Sequence, residues 1–370
     1  MSAPPSPPRL KRLLALLAVA ALALAGCAHP TSGTGAAASG AASAASQATA
    51  FTFTDSTGRQ VELPTGITRV ASAGPLANIM LYALAPETLV GWSQAPGGEA
   101  RAYIDQKYLD LPEYGKFYGD SGDFNREAVL ASDPQVIVDV GDWDEEYKTQ
   151  LDDLQGQLGI PVILIDGDLA ASGEAFRLLG AALGRQEAGE KLAVYADTVI
   201  SDVQSKAGTI PQDQRLSVYY GEGQDGLSTM VAGSSHAQVF DMVGADLVAG
   251  KDSVQKARGG GTVSLEQILA WNPDAIVFAS GSIGAGVSED ASWSSLSAVQ
   301  AGRVYTVPVA PYNWIGRPPG PNRLLGVQWL GSVLYPQTFA YDMVAKTKEF
   351  YSLFYHHDLT DDEARALLGR

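Results

Sequence analysis

The sequence of 370 residues contains one cysteine and four histidines, and this scarcity excludes several kinds of site. A single thiol cannot form an internal disulfide or supply a multi-cysteine metal or cluster site. Capture of a bare zinc or manganese ion needs several imidazoles or carboxylates that converge on the metal. His236 stands alone in the middle of the chain, and the other three histidines lie toward its two ends. We therefore disfavour a metal centre and expect no permanently bound cofactor.

Basic residues are also scarce, since 25 lysines and arginines face 41 aspartates and glutamates and leave a formal net charge of -16. Non-specific nucleic-acid binding requires cations that neutralise phosphates, so it is disfavoured. The sequence offers no basic patch for a membrane surface either. Any attachment to a membrane would have to come from another source.

A short apolar segment near the N-terminus suggests that source. Residues 13–24 are uncharged and contain only leucine, alanine and valine, and a basic segment precedes them. These 12 residues are too few to cross a hydrocarbon core, which needs about 20. The arrangement is typical of a secretory signal peptide. Its end, Leu-Ala-Gly before Cys27, resembles the bacterial lipobox, which implies cleavage after residue 26 and a lipid on Cys27.

The rest of the chain is predicted to be a tether followed by two lobes. Residues 27–50 are rich in alanine, serine, glycine and threonine and cannot bury enough surface to order themselves. Apolar strand segments then alternate with amphipathic helices, which predicts mainly parallel sheets covered on both faces. Residues 187–208 form a long helical segment without proline, spanning roughly 30 Å. We predict an N-terminal lobe over 51–186, a linking helix over 187–208 and a C-terminal lobe over 209–370.

A partial internal repeat supports two similar lobes. Residues 125–138 (NREAVLASDPQVIV) align without a gap with residues 264–277 (SLEQILAWNPDAIV). In each copy a good N-cap residue is followed by a glutamate in the first helical turn, where the helix dipole favours it. A proline then ends each helix just before a buried strand.

This repeat resembles a unit found in both lobes of the periplasmic binding proteins for ferric siderophores, cobalamin and haem. The resemblance runs from about Phe51 to the C-terminus, and two further stretches carry it: 262–274 (TVSLEQILAWNPD) and 312–326 (YNWIGRPPGPNRLLG). The second stretch is similar to a subgroup that includes molybdate and tungstate binders. The resemblance implies the class III fold, with two Rossmann-like α/β lobes joined by one long backbone helix. It also implies a monomer that delivers a small ligand to an ABC permease with a cytoplasmic ATPase.

Two glutamates match the positions at which cobalamin-binding members dock onto arginines of the permease. These are Glu127 and Glu266, one in each repeat copy. The alternative is that each only complements a helix N-terminus, which contributes about 0.3–1 kcal/mol. We expect permease docking because the pair recurs across the lobes.

A two-lobed binder holds its ligand between the lobes, at loops that follow the strands. Tyrosine and tryptophan there can stack on a ligand, tyrosine can also ligate ferric iron, and arginine can grip an oxyanion with two hydrogen bonds. The segment 312–317 is the strongest candidate because it combines large aromatics with an arginine before the last large helix. The expected ligand contacts are Asn78, Tyr118, Tyr220, Arg258, Tyr312, Trp314 and Arg317.

The leading hypothesis from the sequence is a binding protein for an iron complex, a ferric siderophore. An oxyanion such as molybdate or tungstate is the alternative, supported by Arg258, Arg317 and the helix start at Gly74-Pro75, whose N–H groups can bind an anion. Haem or cobalamin comes third. A secreted lipoprotein enzyme is the alternative of a different class, and it is disfavoured because no nucleophile elbow, zinc-protease motif or phosphate loop is found.

Overall fold

The computed structural model describes residues 49–117, 123–250, 252–257 and 260–369. The predicted signal peptide, Cys27 and nearly all of the tether lie outside the described residues, as do Tyr118 and Arg258. The fold and the site are therefore built from the remaining segments.

The first lobe is built on a parallel sheet of three strands in the order β3-β4-β5, preceded by the antiparallel hairpin β1-β2. Its strands are β1 (Ala50–Thr54), β2 (Gln60–Pro64), β3 (Val70–Ser72), β4 (Val136–Gly141) and β5 (Val162–Asp166). Its helices are α1 (Pro75–Leu84), α2 (Gln106–Leu109), α3 (Arg126–Ala131), α4 (Glu145–Leu158) and α5 (Ser172–Leu183).

Strand β4 explains why this sheet reads as a continuous apolar run in the sequence. Successive side chains of a strand point to opposite faces. Val138 and Val140 belong to the core that contains α1 and α5, whereas Ile137 belongs to the core that contains Leu151 and Leu154 of α4. Both faces of the sheet are therefore covered by helices, so the strand does not alternate between apolar and polar residues.

The long helix α6 (Gln186–Ala207) has 22 residues and spans about 33 Å. It agrees within one residue with the helical segment predicted from the sequence. Its buried face carries the side chains that share one helical stripe: Leu192, Tyr195, Ala196, Val199 and Val203.

The second lobe follows α6 and repeats the parallel arrangement with four strands in the order β12-β11-β6-β8, beside an antiparallel sheet β7-β10-β9. Its strands are β6 (Ser217–Gly221), β7 (Ser228–Thr229), β8 (Asp246–Leu247), β9 (Gln255–Ala257), β10 (Gly260–Thr262), β11 (Ala275–Phe278) and β12 (Val304–Thr306). Its helices are α7 (Gln238–Met242), α8 (Leu265–Trp271), α9 (Ser297–Gln300), α10 (Arg323–Leu334), α11 (Met343–Phe354) and α12 (Asp361–Leu367). The predicted class, two Rossmann-like α/β lobes joined by a long helix, is confirmed.

Helix α11, near the C-terminus, returns to the first lobe, which the sequence did not indicate. The ring of Phe354 lies 5.7 Å from that of Phe176 in α5 and 5.4 Å from that of Tyr195 in α6. The division at residue 208 therefore separates the two parallel sheets, but the last part of the chain packs on both sides of it.

The repeat has the same local structure in both lobes. Asn125 accepts a hydrogen bond from the Ala128 N–H (3.0 Å) at the start of α3, and Ser264 accepts one from the Gln267 N–H (3.2 Å) at the start of α8. The residues before the two prolines, Asp133 and Asn272, have left-handed φ angles of 49° and 42°. Aspartate and asparagine are the non-glycine residues that best tolerate this region, so both copies end their helices in the same way.

This geometry gives the first prediction. Replacing Asn272 by alanine or by glycine removes the same two hydrogen bonds to Ser297, but only alanine also has a penalty at positive φ. We expect the Asn272→Gly protein to be more stable than the Asn272→Ala protein by about 1 kcal/mol, measured by urea unfolding. Equal stabilities would show that the φ angle of this residue is not left-handed.

Candidate functional site

Arg317 is the centre of the candidate site. It lies in the loop between β12 and α10, and its side chain is 43 % exposed. Its Nε donates to both carboxylate oxygens of Glu222, at 2.6 and 2.9 Å. Glu222 directly follows β6, so the ion pair joins the ends of two segments of the second lobe.

The backbone of this loop is shaped by Asn313 and Asn322. The Oδ1 atom of Asn313 accepts hydrogen bonds from the N–H groups of Ile315 (2.8 Å) and Gly316 (2.9 Å). The Nδ2 group of Asn322 donates to the Tyr312 carbonyl at 2.8 Å. The loop therefore presents Arg317 from a turn closed by its own asparagines.

Close to Arg317 lie buried polar atoms without a partner. Among the described residues, five buried side-chain atoms lack a hydrogen-bond partner. Two of them belong to Tyr220 and His236, which both lie within electrostatic range of Arg317, and a third belongs to Ser234, two residues before His236. A Cβ on Gly316 would lie 3.7 Å from the His236 Nδ1, so the absence of a side chain at residue 316 keeps the space beside the imidazole open. Buried polar groups are almost always satisfied in proteins, which makes such a concentration a sign of a missing partner.

The pKa shifts of these groups fix their protonation. Burial lowers the pKa of His236, and the charges of Arg317 and Arg323 lower it further, so the imidazole is neutral at pH 7. Burial raises the pKa of Tyr220, with Glu222 adding to the effect, so the phenol stays protonated. All three unpartnered groups can therefore donate a hydrogen bond without carrying a charge.

A second arginine joins the two lobes beneath this site. Arg323, the first residue of α10, is buried and donates to the Ser235 carbonyl (3.1 Å) and to Gln238 Oε1 (2.7 Å) in the second lobe. Its Nη2 donates to the Gly167 carbonyl in the first lobe at 2.6 Å. Gln238 in turn donates to Asp168 Oδ2 at 2.6 Å. Burial lowers the pKa of Arg323 to about 10, which still leaves it charged at neutral pH.

The structure brings together only part of the predicted contact set. Arg317 and Tyr220 lie close to one another: burial raises the pKa of Tyr220, and the charge of Arg317 opposes this rise. Tyr312 is half-buried, with its ring 6.4 Å from that of Tyr355. Tyr118 and Arg258 have no described position. Glu222, Ser234, His236 and Arg323 were not selected from the sequence. The partners of Glu222 and Arg323 are distant along the chain, and His236 stands alone there.

Trp314 and Asn78 correct the expectation from the sequence. Trp314 is 1 % exposed and belongs to the apolar core, so its ring is not accessible to a ligand in this conformation. Asn78 is also 1 % exposed, and its Oδ1 accepts from the N–H (2.6 Å) and the hydroxyl (2.7 Å) of Ser93. Its amide nitrogen donates to the Gly91 carbonyl at 3.3 Å. Asn78 therefore holds α1 against the segment that contains Gly91 and Ser93. Its polar atoms are used there and are not offered to the cleft.

The two predicted docking residues are on the surface. Glu127 in α3 and Glu266 in α8 are both exposed, each in the first turn of its helix. Among the described residues, no three histidine, cysteine, aspartate or glutamate side chains are grouped so that they could hold a metal ion. Within the same part of the chain, no helix is both long enough and apolar enough to span a membrane.

Comparison with known proteins identifies the family. A model of the periplasmic binding protein family matches residues 70–311. A solved ABC transporter solute-binding protein of Sulfurospirillum deleyianum is 30 % identical, with a TM-score of 0.79 over 86 % of this chain and 99 % of that one. The molybdate-binding protein MolA of Haemophilus influenzae is 24 % identical over 84 % of this chain and 92 % of its own length. Its structure with bound molybdate superposes with a TM-score of 0.65, covering 84 % of this chain and 99 % of MolA at 22 % identity.

The family model matches more than half of the chain, and the Sulfurospirillum deleyianum protein is 30 % identical over 86 % of it, so the family is established. Two α/β lobes joined by one long helix define a class III binding protein. The chain belongs to the periplasmic binding protein family.

The carboxyl of Asp139 in β4 provides a prediction on pH. It is fully buried and accepts hydrogen bonds from the Tyr147 hydroxyl and the Val140 N–H. Burial raises its pKa from 3.8 to about 6, against the lowering effect of both hydrogen bonds. Between these values the folded protein holds a proton that the unfolded chain has lost. The free energy of unfolding therefore falls as the pH rises from about 4 to 6, by about 3 kcal/mol from this group, and then stays constant.

The Asp139→Asn variant lacks this contribution. We expect its stability relative to wild type to increase between pH 4 and pH 7, measured by urea unfolding at both values. A difference between the two proteins that does not change with pH would contradict the raised pKa of Asp139.

Proposed function

We propose that this chain is the substrate-binding component of an ABC importer and that it captures a tetrahedral oxyanion of the molybdate or tungstate type beside Arg317. One observation carries the choice of ligand. Tyr220 and His236 hold buried atoms without a partner within electrostatic range of the Arg317 guanidinium, and each can donate a hydrogen bond, His236 from Nδ1 in the tautomer that protonates it. A small ligand whose surface consists only of acceptor oxygens can satisfy both.

The energetics favour such a ligand. Leaving a buried polar atom unsatisfied costs about 1–3 kcal/mol, and binding an oxyanion recovers this cost at several atoms together. Neutral donors can surround a dianion without the desolvation cost of additional buried cations. The name of the relative MolA, a molybdate-binding protein, supports the same ligand class.

A ferric siderophore, the leading hypothesis from the sequence, becomes the alternative. Iron ligation by tyrosine requires a phenolate, and burial raises the pKa of Tyr220 and of Tyr312. Haem and cobalamin need a broad aromatic surface, and Trp314 lies in the core. Family members bind solutes rather than convert them, and we assign this chain no catalytic role.

Delivery depends on two features, a lipid anchor at the membrane and a surface that docks onto the permease. Cys27 carries the lipid that holds the protein, as a monomer, at the outer face of the cell membrane. Glu127 and Glu266 are exposed on matching helices of the two lobes and bind cations of the permease. Charge complementarity of this kind sets orientation and on-rate more than affinity.

A ligand screen tests the class of substrate. Purified full-length protein is heated with molybdate, tungstate, sulfate, ferric siderophores, haem or cobalamin, and a bound ligand raises the unfolding temperature by mass action. The proposal requires stabilisation by molybdate or tungstate. Stabilisation by a ferric siderophore alone would overturn the oxyanion and restore the alternative.

The adjacent tyrosines provide a matched test of the site. The Tyr220 hydroxyl has no partner within hydrogen-bonding geometry, although Asn313 lies close enough to oppose the rise in its pKa that burial causes. The Tyr219 hydroxyl donates to the Gly226 carbonyl at 2.7 Å on the other face of β6. We expect Tyr220→Phe to weaken molybdate binding about tenfold without loss of stability, and Tyr219→Phe to lose about 1 kcal/mol of stability with affinity unchanged. Calorimetric titration and urea unfolding measure the two effects, and equal affinities would contradict the site.

Charge reversal tests the docking surface. We expect Glu127→Lys together with Glu266→Lys to reduce uptake into cells at least about tenfold, because the permease then faces like charges. Ligand affinity should be unchanged. Glu99→Lys together with Glu289→Lys, at one other exposed glutamate in each lobe, makes the same change in net charge and serves as the control. Loss of ligand binding in the double variant would instead indicate a structural role.

A further inference from the structure

The loop that follows β4 carries an unusual side chain. Trp143 is 36 % exposed, and only Leu130 and Val194 join it as exposed large apolar side chains in the described residues. The loop is fixed at both ends. Gly141 pairs with Asp166 of β5, and Asp144 caps α4 by accepting from the Tyr147 N–H at 2.8 Å. Asp142 and Trp143 are therefore exposed at the carboxyl edge of the sheet, where ligands of α/β proteins bind.

Hydrogen bonds connect this loop to the second lobe. The Gly167 N–H donates to the Gly141 carbonyl at 3.3 Å, and the Gly167 carbonyl accepts from Arg323 Nη2 at 2.6 Å. A Cβ on Gly167 would lie 2.9 Å from the Gly141 Cα, so these two backbone segments are in direct contact. Asp142 follows Gly141, and two hydrogen bonds through Gly167 connect Gly141 to Arg323.

The charge of Asp142 also acts across the cleft. Burial lowers the pKa of Arg323, and the charges of Asp168 and Asp142 raise it. Burial likewise lowers the pKa of His236, and Asp142 opposes this effect. The carboxylate of Asp142 therefore lies within electrostatic range of two groups that flank the candidate site, although it belongs to the other lobe.

We propose that Asp142 and Trp143 form the wall that the first lobe contributes to the ligand site. Trp143 covers the bound ligand, and Asp142 sets the charge that the cleft accepts. This assignment rests on the proposed function, because it takes the ligand to be an oxyanion beside Arg317.

The two side chains act in opposite directions. An indole ring over the ligand excludes water and strengthens the hydrogen bonds beneath it, because electrostatic interactions weaken in a high dielectric. The Asp142 carboxylate repels an anion, so it limits affinity and makes release to the permease easier. Trp143 therefore increases the affinity for the oxyanion, and Asp142 decreases it.

Titration of the full-length protein with molybdate tests both roles. We expect Trp143→Ala to bind about tenfold more weakly, as truncation of a covering aromatic does. We expect Asp142→Asn to bind about threefold more tightly, since one partly screened repulsion is removed. Val194→Ala, at an exposed side chain of α6, and Asp213→Asn, at an exposed carboxylate far along the chain, are the matched controls and should bind like wild type.

A measurement without ligand tests the position of Asp142 independently of which ligand the protein binds. Proton NMR follows the titration of His236, assigned by its loss in His236→Gln. We expect Asp142→Asn to lower the pKa of His236 and Asp213→Asn to leave it unchanged. An unchanged His236 titration in Asp142→Asn, or wild-type affinity in both wall variants, overturns the assignment. If wild-type protein binds no oxyanion while the His236 titration shifts, the proposed function fails and the position of the wall is supported.

Discussion

Arg323 brings a positive charge into a region from which water is excluded. The groups around it offset the free-energy cost of removing this charge from water. An unpaired buried charge is too costly to persist, so the guanidinium must find acceptors. It finds them in the carbonyls of Gly167, Ser235 and Gly320 and in the side chain of Gln238. These acceptors belong to both lobes. The charge is therefore satisfied only when the lobes are held against one another as they are here.

The contact between Arg323 and Gly167 lies beside the first turn of α1. Leu76, in the first turn of α1, lies where a Cβ on Gly167 or on Gly320 would be 3.3 or 3.2 Å from its methyl groups. Backbone of both lobes thus approaches one leucine, and a small cavity there is lined by Leu76, Gly167, Gly320 and Arg323. The proposed site lies beside His236 and Arg317.

The parts of the molecule that could be predicted from the sequence are those set by local patterns. The repeated helix-proline-strand unit and α6 depend on N-caps, apolar stripes and prolines within about 20 residues. The site depends on contacts that no local pattern contains, since Glu222 and Arg317 are 95 residues apart and Gly167 and Arg323 are 156 apart. Loop 312–317 was chosen from its own composition, and it carries Arg317, whose partner Glu222 the sequence could not indicate. The aromatic residue chosen with it, Trp314, turned inward because a large apolar ring is stabilised more by the core than by a polar cleft.

If the proposed oxyanion is the ligand, an acidic protein must bind an anion, and the electrostatic field in its cleft must then differ from the field expected from its net charge. Exposed charges farther apart than about 8–10 Å are largely screened at physiological ionic strength, so the net charge of -16 acts weakly inside the cleft. Oriented donors in a partly dry site act over hydrogen-bond distances, where the dielectric is lower. Two of the carboxylates near the site are themselves engaged, Glu222 with Arg317 and Asp168 with Gln238, whereas Asp142 is the one that we propose limits the affinity for an anion. The remaining acidic surplus includes the exposed carboxylates of Glu127 and Glu266, which we propose as the docking residues. In the proposed function the negative charge of the chain serves delivery, while neutral donors and one guanidinium serve capture.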